Sequence, residues 1–117
     1  MTSLTAVSTS TATHYTWGDR SDGWHLLAGP DLSVIEERVP AGAGEQPHRH
    51  RRARQFFYLL AGQAELHTEH GTVLLVPGSG VEVPPGVAHQ FVNPGPAEAR
   101  FLVISSPSTQ GDREPVA

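Results

Sequence analysis

The stretch Gly42–Gly62, GAGEQPHRHRRARQFFYLLAG, decides how this chain is read. Its spacing is G-x(5)-H-x-H-x(4)-Q-x(6)-G. His48 and His50 stand two apart, and on an extended strand residues two apart share a face. Two imidazoles on one face of one strand can chelate a single ion. Gln55 lies an odd number of residues beyond His50, so unbroken alternation puts it on the opposite face. A bulge or turn near Arg51 and Arg52 would return it to the same side.

A second stretch answers the first. Gly78–Asn93 reads GSGVEVPPGVAHQFVN, with spacing G-x(5)-P-x-G-x(2)-H-x(3)-N. Pro84, Pro85 and Gly86 form a tight turn, and His89 opens the strand after it. His48, His50 and His89 are therefore the candidate metal ligands, imidazole being the commonest protein ligand for transition metals. The weaker reading is three polar surface histidines in loops.

Together the two stretches resemble the paired motifs of the cupin superfamily of small β-barrels. The resemblance implies an all-β fold, a single small cupin-type barrel or jelly roll, spanning Leu32 to Ser105. It implies a site for one divalent transition metal ion (Fe, Mn, Ni, Zn or Cu). Gln55 stands where the family usually has Glu, so it is either a weak fourth ligand, a hydrogen-bond partner for substrate, or the remnant of a relaxed site. Cupins host many reactions, so the fold does not name one.

The rest of the chain agrees with this architecture. About nine or ten short strands are separated by turn signals, and no segment has a helical period. The 12 glycines and 10 prolines fall mostly between strands. Strand candidates are 14–17, 24–28, 32–39, 55–60, 63–68, 72–76, 81–83, 88–92 and 99–105. Residues 18–23 read as a turn. In 55–60, QFFYLL, both faces are largely apolar, which predicts cover on both sides. One domain is expected at 14–105, between a mobile Ser/Thr-rich tail at 1–13 and a polar tail at 106–117. An edge strand within the first tail is the alternative.

Composition excludes several chemistries. At 117 residues this is one domain, able to bury roughly 65% of its unfolded surface. There is no cysteine, hence no disulfide and no thiolate ligand or nucleophile. All eight basic residues are Arg, so Schiff-base chemistry on lysine is excluded. A net charge of −4 argues against nucleic acid as a partner. No membrane-spanning run or signal peptide is seen, and a cytoplasmic location is expected. Arg49, Arg51, Arg52 and Arg54 read as a solvated rim that attracts anionic ligands. His14, His67 and His70 have no partner visible in sequence.

Phe57, Leu59 and Phe91 are expected to line the pocket, with Trp24 and His25 at its mouth. Gln55 and one of Glu36 and Glu37 are the candidate catalytic groups; alternation cannot say which Glu faces inward. Three functions compete: a metal-dependent dioxygenase, favoured by the resemblance; a non-redox isomerase, lyase or cyclase; and a non-catalytic binding or sensing module. In each the partner is a small molecule, expected to be anionic or enolisable. A homodimer is expected, because small cupins commonly pair through a sheet and QFFYLL offers it apolar side chains.

Overall fold

The computed structural model describes residues 3–116; Met1, Thr2 and Ala117, assigned above to the two tails, lie outside the described residues. The described chain is all β. Its strands are β1 (Thr13–Trp17), β2 (Ser21–Ala28), β3 (Ser33–Val39), β4 (His48–Arg49), β5 (Arg54–Ala61), β6 (Ala64–Thr68), β7 (Gly71–Leu75), β8 (Gly80–Val83), β9 (His89–Val92), β10 (Ala99–Ser106) and β11 (Glu114–Pro115). Two antiparallel sheets face each other in a jelly roll. One runs β1-β2-β3-β10-β5-β8 and the other β11-β4-β9-β6-β7. No helix among the described residues is long and apolar enough to cross a membrane.

Alternation sorts the side chains. On β5, Gln55, Phe57 and Leu59 are buried, while Phe56 and Leu60 are 40% and 41% exposed. On β10, Phe101, Val103 and Ser105 point inward. The closed end of the sandwich is apolar: Phe91 stacks on Phe101 at 3.9 Å between ring centroids, with Phe57 6.1 Å from each. Leu59, Leu66 and Phe91 are fully buried there. The inner face changes from apolar to polar toward the other end, where the histidines of β4 and β9 lie.

Two expectations about chain organisation are corrected. The first concerns 18–23, read as a turn. The turn ends at Arg20, and Ser21–Gly23 already belong to β2. Turn-type residues serve as strand here because of partners across the sheet: Asp22 holds Arg38 at 2.6 Å and His14 at 2.7 Å. The second concerns 106–117, read as a tail. This segment folds back across the barrel. Ser108 N donates to Pro30 O at 3.0 Å, Asp112 is buried, and Glu114–Pro115 pairs with β4. Its polar composition hid this, because its hold comes from hydrogen bonds rather than apolar burial. At the other end, Thr13 opens edge strand β1, and residues 3–12 carry no strand, only a turn in which Thr11 and Ala12 N–H donate to Ser8 O.

Candidate metal centre

The two sequence motifs meet directly. His48 on β4 pairs with His89 on β9 across the ladder. Gly86 closes the P-P-G turn at φ +85°, a conformation that side chains resist, and its N–H donates to His50 O at 2.7 Å. His48, His50 and His89 are all buried, and each offers a ring nitrogen within 4.8 Å of the other two.

The ring tautomers are set by the backbone. Each Nδ1 donates to a carbonyl oxygen: His48 to Gln46 at 2.8 Å, His50 to Asp112 at 2.8 Å and His89 to Val87 at 2.9 Å. That leaves each Nε2 as the bare lone pair, and the buried His89 Nε2 has no hydrogen-bond partner. Burial pushes His48 down to about 4 and also lowers His50 and His89, so the cluster stays neutral. Three neutral, pre-oriented imidazoles with an orphaned lone pair fit a divalent transition metal ion.

Gln55 joins them, and the route is the turn expected at Arg51 and Arg52. That turn is built by a residue far along the chain. The Asp112 carboxylate accepts the N–H groups of Arg51, Arg52 and Ala53 at 2.9, 3.0 and 2.9 Å. Burial works to raise the Asp112 pKa, but these three donors outweigh it and hold it below the ordinary value. The Gln55 amide N–H donates to Ser105 Oγ at 3.1 Å, leaving its buried Oε1 without a partner. The oxygen is therefore the buried atom of this side chain left without a partner.

A cavity of about 230 Å³ opens over His48, His50 and Gln55. Its other walls include Tyr15, Glu37, Glu45, Phe57 and Arg113. Glu37 is the inward-facing member of the Glu pair. Burial, helped by the nearby Glu45 charge, pushes its carboxyl up to about 8, and Tyr15 Oη donates to its Oε2 at 3.3 Å. Burial, with the Glu37 carboxylate beside it, likewise raises the Tyr15 phenol.

Several expected site residues lie elsewhere. Glu36 points to the outer face and pairs with Arg100 at 3.1 Å. Trp24 is outside too, with the Arg100 guanidinium 5.2 Å from its ring centroid. Leu59 and Phe91 are core residues beneath the pocket rather than its wall. His25 lines a neighbouring cavity. The Arg-rich rim does not face the site: Arg49 and Arg51 pair with Glu114, and Arg54 with Glu82. His14 and His67 do have partners, Asp22 and Glu65.

Several pocket residues were missed in the sequence, among them Tyr15, Glu45 and Arg113. Glu45 sits in the Gly-rich loop, accepts Phe91 N–H at 3.0 Å, and places Oε2 4.0 Å from His48 Nε2. Burial raises its carboxyl to about 7. Its place three residues before His48 was the available signal. Arg113 is carried by the returning C-terminal segment; nothing local in the sequence marked it.

This arrangement, two motifs joined at a His cluster inside a jelly roll, is that of a cupin. The sequence matches the cupin domain family over residues 35–105, and the chain belongs to that family. No protein of curated function matches it by sequence. Among solved structures it is similar to KdgF from Halomonas sp., at 21% identity and TM-score 0.81, covering 92% of this chain and 98% of that one. It is also similar to a predicted oxalate decarboxylase from Thermotoga maritima, at 19% identity and TM-score 0.80, covering 89% and 100%. The polyketide cyclase RemF from Streptomyces resistomycificus gives 21% identity and TM-score 0.79, covering 97% and 83%. At these identities the likeness carries the fold alone.

Proposed function

We propose that this protein is a metal-dependent enzyme that moves a proton on a small anionic or enolisable compound, in the manner of an isomerase, lyase or cyclase. The observation that carries the reading is Glu37. A carboxyl pushed to about 8 beside the His cluster holds its proton at neutral pH and can exchange it with a bound molecule. A divalent ion held by His48, His50, His89 and the Gln55 oxygen would supply a Lewis acid for a carbonyl or carboxylate oxygen.

The chain's own groups do the rest. Arg113 makes no ion pair with another described residue and lines the cavity, so it can meet the ligand's negative charge. Tyr15 fixes the Glu37 carboxyl through its hydrogen bond. Phe57, Val103 and Ile35 supply apolar wall that limits water. The predicted decarboxylase and the cyclase among the structural relatives are consistent with this class without defining it for this chain.

Dioxygenase chemistry is the second reading, supported by a three-His cluster that leaves coordination positions open. Proton exchange separates the two. Metal-loaded protein in deuterated water should speed exchange of the pyruvate methyl protons, followed by NMR. Glu37→Gln should lose roughly 10²-fold or more of that rate. No exchange, together with oxygen uptake by the iron-loaded protein on an enolisable diketone, would favour the dioxygenase.

A further inference from the structure

The metal pocket does not end at its own walls. A second cavity of about 650 Å³ adjoins it, and Tyr15, Ile35 and Thr109 line both. The second cavity lies between β2, the β2–β3 turn and the returning C-terminal segment. Ser106 Oγ donates to Asp31 O, and Ser108 N to Pro30 O, so that segment is tied down over the turn.

The volumes divide the labour. The metal pocket, at about 230 Å³, is below the roughly 300–1,000 Å³ typical of sites that enclose a whole organic ligand. It has room for a reacting head group. A longer ligand can extend past Tyr15, into the second cavity.

Tyr15 is held at that junction from three sides. Its hydroxyl is bonded to Glu37, and its ring lies 4.9 Å from that of His25. Beneath it is Gly23, where a Cβ would fall 2.2 Å from Tyr15 Cζ. Only glycine lets the ring lie across β2.

The wall of the second cavity is mixed: Ala28, Pro30 and Ile35 give it an apolar part, and polar groups stand among them. His25, Ser33, Thr109 and Gln110 line it with imidazole, hydroxyl and carboxamide groups. Ser33 is 7% exposed, and its hydroxyl makes no hydrogen bond to another described side chain. The side chains of Thr109 and Gln110 are equally uncommitted. An alkyl chain entering here can pack on the apolar part but strips water from these polar groups, whereas a chain with a hydroxyl at their level replaces the lost hydrogen bonds.

We propose that the second cavity is a subsite for the part of the ligand remote from the metal, and that it selects a hydroxyl-bearing chain over an apolar one of equal length. The proposal rests on the metal pocket being the site of the acidic head.

The test uses the zinc-loaded full chain and three carboxylates: acetate, hexanoate and 6-hydroxyhexanoate, titrated by calorimetry. The last two differ by one distal hydroxyl. The hydroxylated acid should bind roughly fivefold tighter than hexanoate. In Ser33→Ala, which removes a hydroxyl with little change of volume, and in Gln110→Met, which removes a carboxamide that lines the second cavity and not the metal pocket, that ratio should fall toward one. Acetate and zinc affinities should not change. Hexanoate binding as tightly as 6-hydroxyhexanoate overturns the subsite, as does a ratio unaltered in both variants while acetate and zinc still bind. Failure of zinc and acetate to bind wild type is a different result: it overturns the metal-pocket reading, and the subsite falls with it.

Discussion

At the scale of single residues, the site depends on which atom each side chain leaves free. His48→Ala and His89→Ala each remove one of three pre-oriented nitrogens, and elemental analysis of the folded variants should show the metal lost. Gln55→Glu places a carboxylate where a neutral amide oxygen now stands. It should bind zinc more tightly and a dicarboxylate more weakly in paired calorimetric titrations. Equal anion binding by both proteins would show that charge at this position does not select the ligand. Glu37 gives a pH prediction. Its folded value, about 8, lies above the ordinary 4.5, so its contribution to stability is full below the ordinary value and is lost as pH rises through the folded one. Metal-free Glu37→Gln should therefore gain in Tm relative to wild type as pH rises from 6 to 9; a constant difference would show that Glu37 ionises normally. The His cluster and Gln55 were legible in the sequence because motif spacing fixes them. Which Glu faced inward was not, because each face of β3 carries one. The register with β10 decides it, placing Glu37 opposite Phe101 and Glu36 opposite Leu102.

At the scale of elements, strand positions followed from alternation and turn residues, and the core strands lie close to where those signals put them. The exceptions have two causes. Ser21–Gly23 pair with Tyr15–Trp17 across a hairpin whose turn is shorter than its turn-type residues suggest, whereas Glu114–Pro115 are a strand because of a distant partner, which no local pattern encodes. The second of these shapes the site. The segment that carries Asp112 makes the turn after His50, accepts the His50 Nδ1–H, and brings Arg113 to the pocket. Asp112→Ala should lower Tm by several degrees and weaken zinc binding, although Asp112 is not itself one of the proposed ligands. Asp112→Asn keeps one acceptor oxygen and should fall between the two. Unchanged zinc affinity in a destabilised Asp112→Ala would limit this segment to a structural role.

At the scale of the whole molecule, one face is unfinished. Phe56 and Leu60 of β5 stand about two-fifths exposed, beside half-buried Tyr58, Leu102 and Ile104. The expected cover on both sides of QFFYLL is thus present only on the inside of a single chain. A second copy of this chain is the proposed cover, through β5 and β10 of each. Light scattering at micromolar concentration should give twice the 12.5 kDa chain mass. Phe56→Asp should return it to one chain mass, with zinc affinity kept. A monomeric wild type would leave this face to another partner.

The clamp at Asp112 also sets a schedule. The residues it organises lie about sixty positions earlier, and the carboxylate that shapes them comes close to the end of the described chain. During synthesis, strands β1 to β10 can assemble from the N-terminus onward. Over that interval the loop after His50 lacks its acceptor and His50 lacks the carbonyl that fixes its ring. A nascent chain released at residue 106 should thus hold a barrel but no competent centre, and metal should load only after the final segment has been made.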